Sequence, residues 1–280
     1  MKSIWLVYEE CNVAANNFFI NKWMEAAQNS GLQLHLVKVE NLTYGIQNGK
    51  AFIRHSDSLP LPDAAVMRLN KPLLNVQFEQ AGIPAFNNGH VARVCNDKRL
   101  THQVIAPFAP MMDTAFLHGG ETDPPFPYPV VVKGAGGCGG RQVLRARNRA
   151  EFQAAIAALP HDSALVQPMS DTPGQDVRVY VLGKRIVGVM TRRSEHDFRS
   201  NLGQGAQAFP YALGSRETQY VNDIMEVFDF GLVGIDFIFH RGRLVFNEIE
   251  DAVGTRMLYA NGLDIVPEYL EYILARINAQ

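Results

Sequence analysis

A lysine beside a run of glycines, and three carboxylates about a hundred residues further on, are the groups in this chain whose types and spacing suit chemistry. Lys133 ends the β-branched run Val130-Val131-Val132 and leads directly into Gly134-Ala135-Gly136-Gly137-Cys138-Gly139-Gly140. Backbone without Cβ atoms can close on phosphate oxygens and donate N–H groups to them, and a cation at the mouth of such a loop neutralises them. Alone, the cluster reads equally well as a surface hairpin. No Gly-Lys-Ser/Thr follows, so it is not a P-loop. It is not a dinucleotide fingerprint either, because Gln142-Val143-Leu144 resumes as a strand where a helix N-terminus is required.

Asp236 lies in one apolar run, and Glu248 and Glu250 in the next, beyond the polar turn Arg241-Gly242. Residues 248 and 250 share a strand face, and Asp236 on an antiparallel neighbour can point to the same side. Three carboxylates there repel one another and lose hydration unless cations hold them. Exposure to water, or pairing with Arg243, is the alternative reading. Oxygen-only donors favour Mg2+ or Mn2+ bound jointly with nucleotide phosphates. A lysine-and-glycine phosphate grip plus a carboxylate platform describes an enzyme that uses ATP and a divalent metal.

The elements that must position these groups follow from periodicity. Ser3–Tyr8, Leu32–Val39, Ala64–Met67 and Ile83–Asn87 read as strands, with helices over Asn16–Ser30 and Leu73–Gln80 stopped by Gly31 and Gly82. Strands alternating with helices imply parallel pairing. A helix opens at Asn96-Asp97-Lys98, and a proline-punctuated stretch runs from Pro107 to Pro129. A helix over Glu151–Leu159, capped by Asn148, and a strand over Ala164–Gln167 complete the glycine-loop unit. Strands are then expected over Asp176–Leu182, Arg185–Arg192, Val233–His240 and Arg243–Ile249, with tight turns at Gly183-Lys184 and Arg241-Gly242. Helices are expected over Arg216–Phe228 and Val266–Ile277. The fold class is α/β, α+β overall.

Composition narrows the partners. The 280 residues are 47% apolar and 19% charged with a net charge of −2, the profile of a globular chain rather than a disordered one. That charge offers no electrostatic case for nucleic acid or an anionic membrane surface. No apolar run spans a bilayer, and the Met1-Lys2-Ser3-Ile4-Trp5 start does not read as a signal peptide. The three cysteines, Cys11, Cys95 and Cys138, have neither a disulfide framework nor metal-ligand spacing. A cytoplasmic protein is expected.

The order of these pieces resembles the ATP-grasp superfamily and, within it, the RimK-like branch of carboxylate–amine ligases, from about Asp63 to Tyr272. Ala92-Arg93 to Asp97-Lys98 looks like the opening of that family's central domain, which implies that Lys98 contacts nucleotide phosphates. Val130 to Lys133 looks like the second phosphate lysine with its flexible lid, which includes Gly136, Gly137 and Gly139. Gln167-Pro168-Met169 occupies the hinge against which adenine packs. Asp176-Val177-Arg178 matches a motif whose acid binds ribose, and Phe198-Arg199-Ser200-Asn201-Leu202 is identical to a core motif of the branch. Gly234-Ile235-Asp236 and Glu248-Ile249-Glu250 resemble the metal-binding motifs, except that Glu250 stands where the family has asparagine. That substitution either tightens metal binding or pairs Glu250 with an arginine such as Arg178 or Arg199.

The resemblance implies an ATP-grasp fold with a small parallel α/β domain (1–90), a central lid (91–170) and a mixed or antiparallel β domain carrying the metal site (171–280). It also implies ligation of an amino acid or short peptide through an acylphosphate, with ATP and Mg2+ or Mn2+ as cofactors, and a homo-oligomer among the expected states. A nucleotide-binding sensor that has lost the chemistry and a small-molecule kinase are the alternatives. Positioned cations carry most of such catalysis. Arg178, Arg193 and Arg199 are the candidates, with Asn201 as a neutral donor, whereas Arg192 reads as a solvated strand-end charge. Arg68, at a strand's carboxyl end, is a candidate clasp for a substrate carboxylate. Arg256 and Tyr259 are candidates to read the acceptor.

Overall fold

The computed structural model describes residues 1–136, 142–160, 163–194, 197–199 and 207–279. Along the chain, β1 (Ser3–Tyr8), α1 (Glu10–Val13), α2 (Asn17–Asn29), β2 (Gln33–Lys38), β3 (Leu42–Gln47), β4 (Lys50–His55), β5 (Ala64–Met67), α3 (Pro72–Gln80) and β6 (Ala85–Phe86) come first. Strands β2-β1-β5-β6 form a parallel sheet in that order. Alternation along β1 is doubly buried, as a central parallel strand requires. Ile4, Leu6 and Tyr8 enter one core with Phe19 and Trp23 of α2, while Trp5 and Val7 enter another with Leu74 and Phe78 of α3. The β3–β4 hairpin adds to the expected elements. Its turn is Asn48-Gly49, whose φ values of 52° and 75° are the left-handed pair that a two-residue hairpin loop demands.

Next come α4 (Gly89–Cys95), α5 (Lys98–Ile105), β7 (Ala115–Leu117), β8 (Val130–Gly134), β9 (Val143–Ala146), α6 (Arg149–Ala157) and β10 (Ala164–Pro168). The Asp97 side chain caps α5 by accepting from the Arg99 N–H at 2.9 Å, and Asn148 caps α6 by accepting from the Glu151 N–H at 3.0 Å. Strands β7-β10-β8-β9 make an antiparallel sheet, with Phe152 and Ala155 of α6 packed on its Val130, Val132 and Val166 face.

The last part is β11 (Gln175–Leu182), β12 (Arg185–Arg193), β13 (Gln207–Pro210), α7 (Ser215–Val227), β14 (Leu232–His240), β15 (Arg243–Glu250), α8 (Arg256–Ala260) and α9 (Val266–Asn278). The antiparallel order is β13-β12-β11-β14-β15. One face carries Val177, Val179, Val181, Val233, Ile235, Phe237 and Phe246 against α7. The other face carries Asp176, Arg178 and Asp236 at one end and Tyr180 and Leu182 at the other. Two bulges interrupt the pairing. Val181 faces Ile186 but Tyr180 faces Gly188, and Phe237 faces Phe246 but Asp236 faces Glu248. Each bulge lets one extra residue into its strand and shifts everything beyond it by one position. Helix α9 returns to the first sheet, where Tyr269 meets Trp23 edge-on with ring centroids 5.3 Å apart. Among the described residues, no helix is long and apolar enough to cross a membrane.

Candidate active site

Between the second and third sheets lies an open cleft of about 840 Å3, counting the space at its mouth. Lys98 enters it from the first turn of α5, Lys133 from β8, Gln167-Pro168-Met169 from β10, Asp176 from β11, Arg192 from β12, and Asn247 and Glu248 from β15. Arg199 lines it as well, and its Nη2 is 2.8 Å from Asp197 Oδ2.

Strand register explains the floor. Lys98 Nζ lies 3.0 Å from Glu248 Oε2, and Lys133 Nζ donates to Asn247 Oδ1 at 2.7 Å. Both lysines are 8% exposed, so they are held in place rather than splayed into solvent. The β15 bulge is what makes Asn247 and Glu248, consecutive residues, both available to the lysines. Burial pulls Lys133 down to about 8, against the raising effect of Glu248. Burial acts to raise Glu248, but the ammonium groups of Lys98 and Lys133 override it and hold the carboxyl well below its ordinary value. Glu250 moves the other way: burial, with Asp236 and Glu248 nearby, raises it against the pull of Arg178.

Behind this floor runs a buried chain of alternating charge. Arg192 donates to both oxygens of Asp176, at 2.6 and 2.5 Å, and reaches Asp236 Oδ2 at 2.8 Å. Arg178 donates to Asp236 Oδ1 at 2.7 Å and Oδ2 at 2.6 Å, and its Nη1 lies 2.8 Å from Glu250 Oε2. The pairing of Glu250 with an arginine is thus with Arg178. Arg192 is the correction to the sequence reading. It is 5% exposed and bridges two acids, because the β11–β12 bulge places it, and not Thr191, opposite Asp176. Arg193 at the same strand end is exposed and does not line the cleft.

A second network steadies the Gln167 end of β10. The His102 ring stands between the Lys98 carbonyl, 2.6 Å from Nδ1, and the Gln167 amide, 3.0 Å from Nε2. Gln167 Nε2 also donates to Thr114 Oγ1 at 2.9 Å. An amide N–H donating to Nε2 leaves Nδ1 protonated toward the carbonyl, the neutral tautomer. Burial, with the Lys133 charge nearby, lowers His102 to about 4. Just beyond β10, the Met169 N–H is committed to the Pro129 carbonyl at 3.0 Å.

A RimK-like ATP-grasp domain matches residues 121–273. The chain belongs to the RimK-like ATP-grasp family. It is therefore an ATP-dependent carboxylate–amine ligase. Among curated relatives, a probable alpha-L-glutamate ligase from Halorhodospira halophila is 27% identical over 268 residues, 89% of each chain. An uncharacterized Mycoplasma pneumoniae protein is 25% identical over 274 residues, 90% of this chain and 92% of its own. The crystal structure of D-alanine–D-alanine ligase from Bacillus anthracis complexed with ATP superposes with a TM-score of 0.74 at 13% identity, covering 100% of this chain and 98% of that one.

Ligases of the ATP-grasp fold use ATP with a divalent metal, and the donor set here fits one. Asp236, Glu248 and Glu250 each offer an oxygen within 4.8 Å of the others, all hard donors of the kind Mg2+ and Mn2+ take. Asp236 has the least to give, because three of its roughly four acceptor positions already serve Arg178 and Arg192. Glu248 and Glu250 are the more open donors.

The remaining sequence candidates fall elsewhere. Gly136 is exposed at the end of β8. Gly137, Gly139, Ser200 and Asn201 lie outside the described residues. Arg68, Arg256 and Tyr259 do not line this cleft. Arg68 Nη2 donates to the Val253 carbonyl at 2.7 Å, Arg256 reaches the Ala15 carbonyl at 3.5 Å, and the Tyr259 hydroxyl donates to Asp264 at 3.0 Å. Sequence reasoning missed Arg192, Asn247 and His102.

Proposed function

We propose that this ligase joins a carboxylate to the amine of an amino acid or short peptide, using ATP with Mg2+ or Mn2+ and passing through an acylphosphate. The observation that carries the reading is the meeting of Lys98 with Glu248 at 3.0 Å and of Lys133 with Asn247 at 2.7 Å, phosphate-binding cations from one wall against an acidic floor from the other. In the first step a substrate carboxylate oxygen attacks the γ-phosphorus and ADP leaves. In the second the amine nitrogen attacks the acyl carbon, inorganic phosphate leaves, and the nitrogen loses a proton.

Lys98 and Lys133 hold the transferring phosphates; phosphate oxygens take the place that Glu248 and Asn247 occupy at their ammonium groups. Asp236, Glu248 and Glu250 would hold the divalent cation, which would supply positive charge against the phosphate oxygens. The hinge Gln167-Pro168-Met169 receives adenine and Asp176 serves the ribose, with Gly136, Gly137, Gly139 and Ser200 as further nucleotide-binding residues. Arg178, Arg199 and Asn201 stabilise the charge of the transition states, and Arg193 stands at the edge of the same strand end. Arg68, Arg256 and Tyr259 read the substrate. L-Glutamate is the amine favoured by the name of the Halorhodospira relative.

Incubation with ATP, Mg2+ and an amino-acid panel that includes L-glutamate is expected to release ADP and phosphate together. Added hydroxylamine traps an acylphosphate as a hydroxamate, and mass spectrometry distinguishes an amide from a phosphate ester. A phosphate ester as product, or no amine-dependent turnover across the panel, overturns the reading.

A further inference from the structure

Two buried polar atoms without a partner stand at one place on the first sheet. Of the buried side-chain atoms that make no hydrogen bond among the described residues, Tyr8 Oη and Arg68 Nε share a strand end. Tyr8 is the last residue of β1 and Arg68 directly follows β5, and Val7 and Met67 are register partners in the parallel pair. Tyr8 and Arg68 therefore occupy the next facing positions, at the carboxyl ends where parallel sheets collect ligands. They also share a face. Tyr8 packs in the core of Leu6, Val66 and Phe19, and the Arg68 guanidinium lies over the Phe19 ring, 5.0 Å from its centroid.

Tyr8 is 1% exposed and Arg68 8%. Buried donors are nearly always satisfied, and an orphan is costly to keep. Stacking on Phe19 occupies the guanidinium's π face and leaves its in-plane N–H groups for an acceptor. Arg68 spends Nη2 on the Val253 carbonyl at 2.7 Å, which ties it to the loop directly after Glu250. That loop borders open space, since a Cβ added at Gly254 would meet no atom within 4 Å.

We propose that Tyr8 Oη and Arg68 Nε form a carboxylate-binding subsite for the substrate group that is not being joined, so that the substrate carries a second carboxylate. This rests on the ligase reading for the identity of the ligand as a substrate, but the subsite itself is tested by binding. A hydroxyl and a guanidinium on neighbouring strand ends of one face supply two donors and one positive charge, the complement of a carboxylate. The same chemistry is offered by the α-carboxylate of an amino acid or by its side-chain carboxylate.

The test is thermal unfolding and calorimetry of the full chain with Mg2+ and a non-hydrolysable ATP analogue, against a panel of amino acids and dicarboxylates with inorganic phosphate as the control. At least one carboxylate is expected to raise the wild-type Tm. Tyr8→Phe and Arg68→Met should each weaken its Kd about tenfold or more, with the Kd of the ATP analogue unchanged. Without ligand, Tyr8→Phe should unfold no earlier than wild type, because it deletes a hydroxyl that has no partner. For L-glutamate, loss of binding by L-isoglutamine or by L-glutamine identifies which carboxylate is held. The proposal is overturned if no carboxylate stabilises the wild type, if inorganic phosphate does so equally well, or if Tyr8→Phe binds like wild type. Binding that depends on both residues, with no turnover when ATP replaces the analogue, rejects the amino-acid ligation reading and leaves the subsite standing.

Discussion

Lys98 meets Glu248 and Lys133 meets the neighbouring Asn247, from different elements, and the charge on Glu248 acts on both ammonium groups. Glu248→Gln keeps the shape and deletes that charge. The fold should survive, while kcat at saturating Mg2+ falls by about 100-fold or more, on the scale of losing one preformed electrostatic contact. Near-native turnover would remove β15 from the metal site. Glu250→Asn should retain substantial activity, because Arg178 keeps both oxygens of Asp236 when it loses Glu250. Steady-state kinetics over a Mg2+ titration separates the two variants. His102 makes a prediction about stability. Its pKa is lowered from 6.5 to about 4 in the folded chain, so the unfolded chain binds the proton first as pH falls. The contribution of the neutral ring is fully present above pH 6.5 and is lost as pH falls toward 4, by roughly 3 kcal/mol at most. Urea unfolding across that window should show this slope, and His102→Gln should flatten it.

The two bulges belong to the scale of elements, and they mark where the sequence was legible and where it was not. Period-two alternation places Asp176 with Arg178 and Glu248 with Glu250, and the structure keeps both pairs on one face. Counting back from a two-residue turn at Gly183-Lys184 sets Thr191 opposite Asp176; Arg192 is there because Val187 is an extra residue. Counting back from Arg241-Gly242 likewise sets Glu248 opposite Ile235, on the core face. The extra residue Asn247 restores it to Asp236. The β14–β15 bulge has no glycine or proline to announce it, and the β11–β12 bulge has only Gly188 beside its extra residue, which does not say on which side the register shifts, so register beyond each could not be read. His102 was illegible for another reason: its partners, Lys98 and Gln167, meet it only through tertiary packing. The Asn48-Gly49 hairpin, in contrast, had a clear local signal. Deletions test the register argument. Deleting Asn247 removes the bulge but leaves Glu248 opposite Asp236 and Ile249 opposite Ile235, so the sheet should form and Lys133 should lose its acceptor. Deleting Ile249 instead drives Glu250 into the core beside Ile235, and soluble protein should be lost, since an unpaired charge there is among the costliest substitutions. Comparable yields and Tm values for the two deletions would contradict this.

At the scale of the whole molecule, the chain closes on itself. Tyr269, Leu270 and Ile273 of α9 complete the core that Ile4, Leu6 and Trp23 begin, so the first sheet depends on the last helix. Ile273→Ala should cost about 2–5 kcal/mol and, in hydrogen exchange, should deprotect β1 amides together with α9 amides rather than α9 alone. The buried charge chain has a consequence on the same scale. Asp176, Asp236, Glu248 and Glu250 stand against Lys98, Lys133, Arg178 and Arg192, acid for cation. The charges at and behind the cleft therefore nearly balance, and whatever enters must arrive with its own counterions. A nucleotide carrying its divalent metal does so. A nucleotide stripped by a chelator does not, and has only mobile ions with which to make up the difference. Its affinity should accordingly be lower and should vary steeply with ionic strength, whereas that of the metal complex should vary little. Titrations at several salt concentrations, with Mg2+ or with chelator, would show two different slopes, and a charge-balanced pocket of this kind discriminates against bare nucleotide before any chemistry begins.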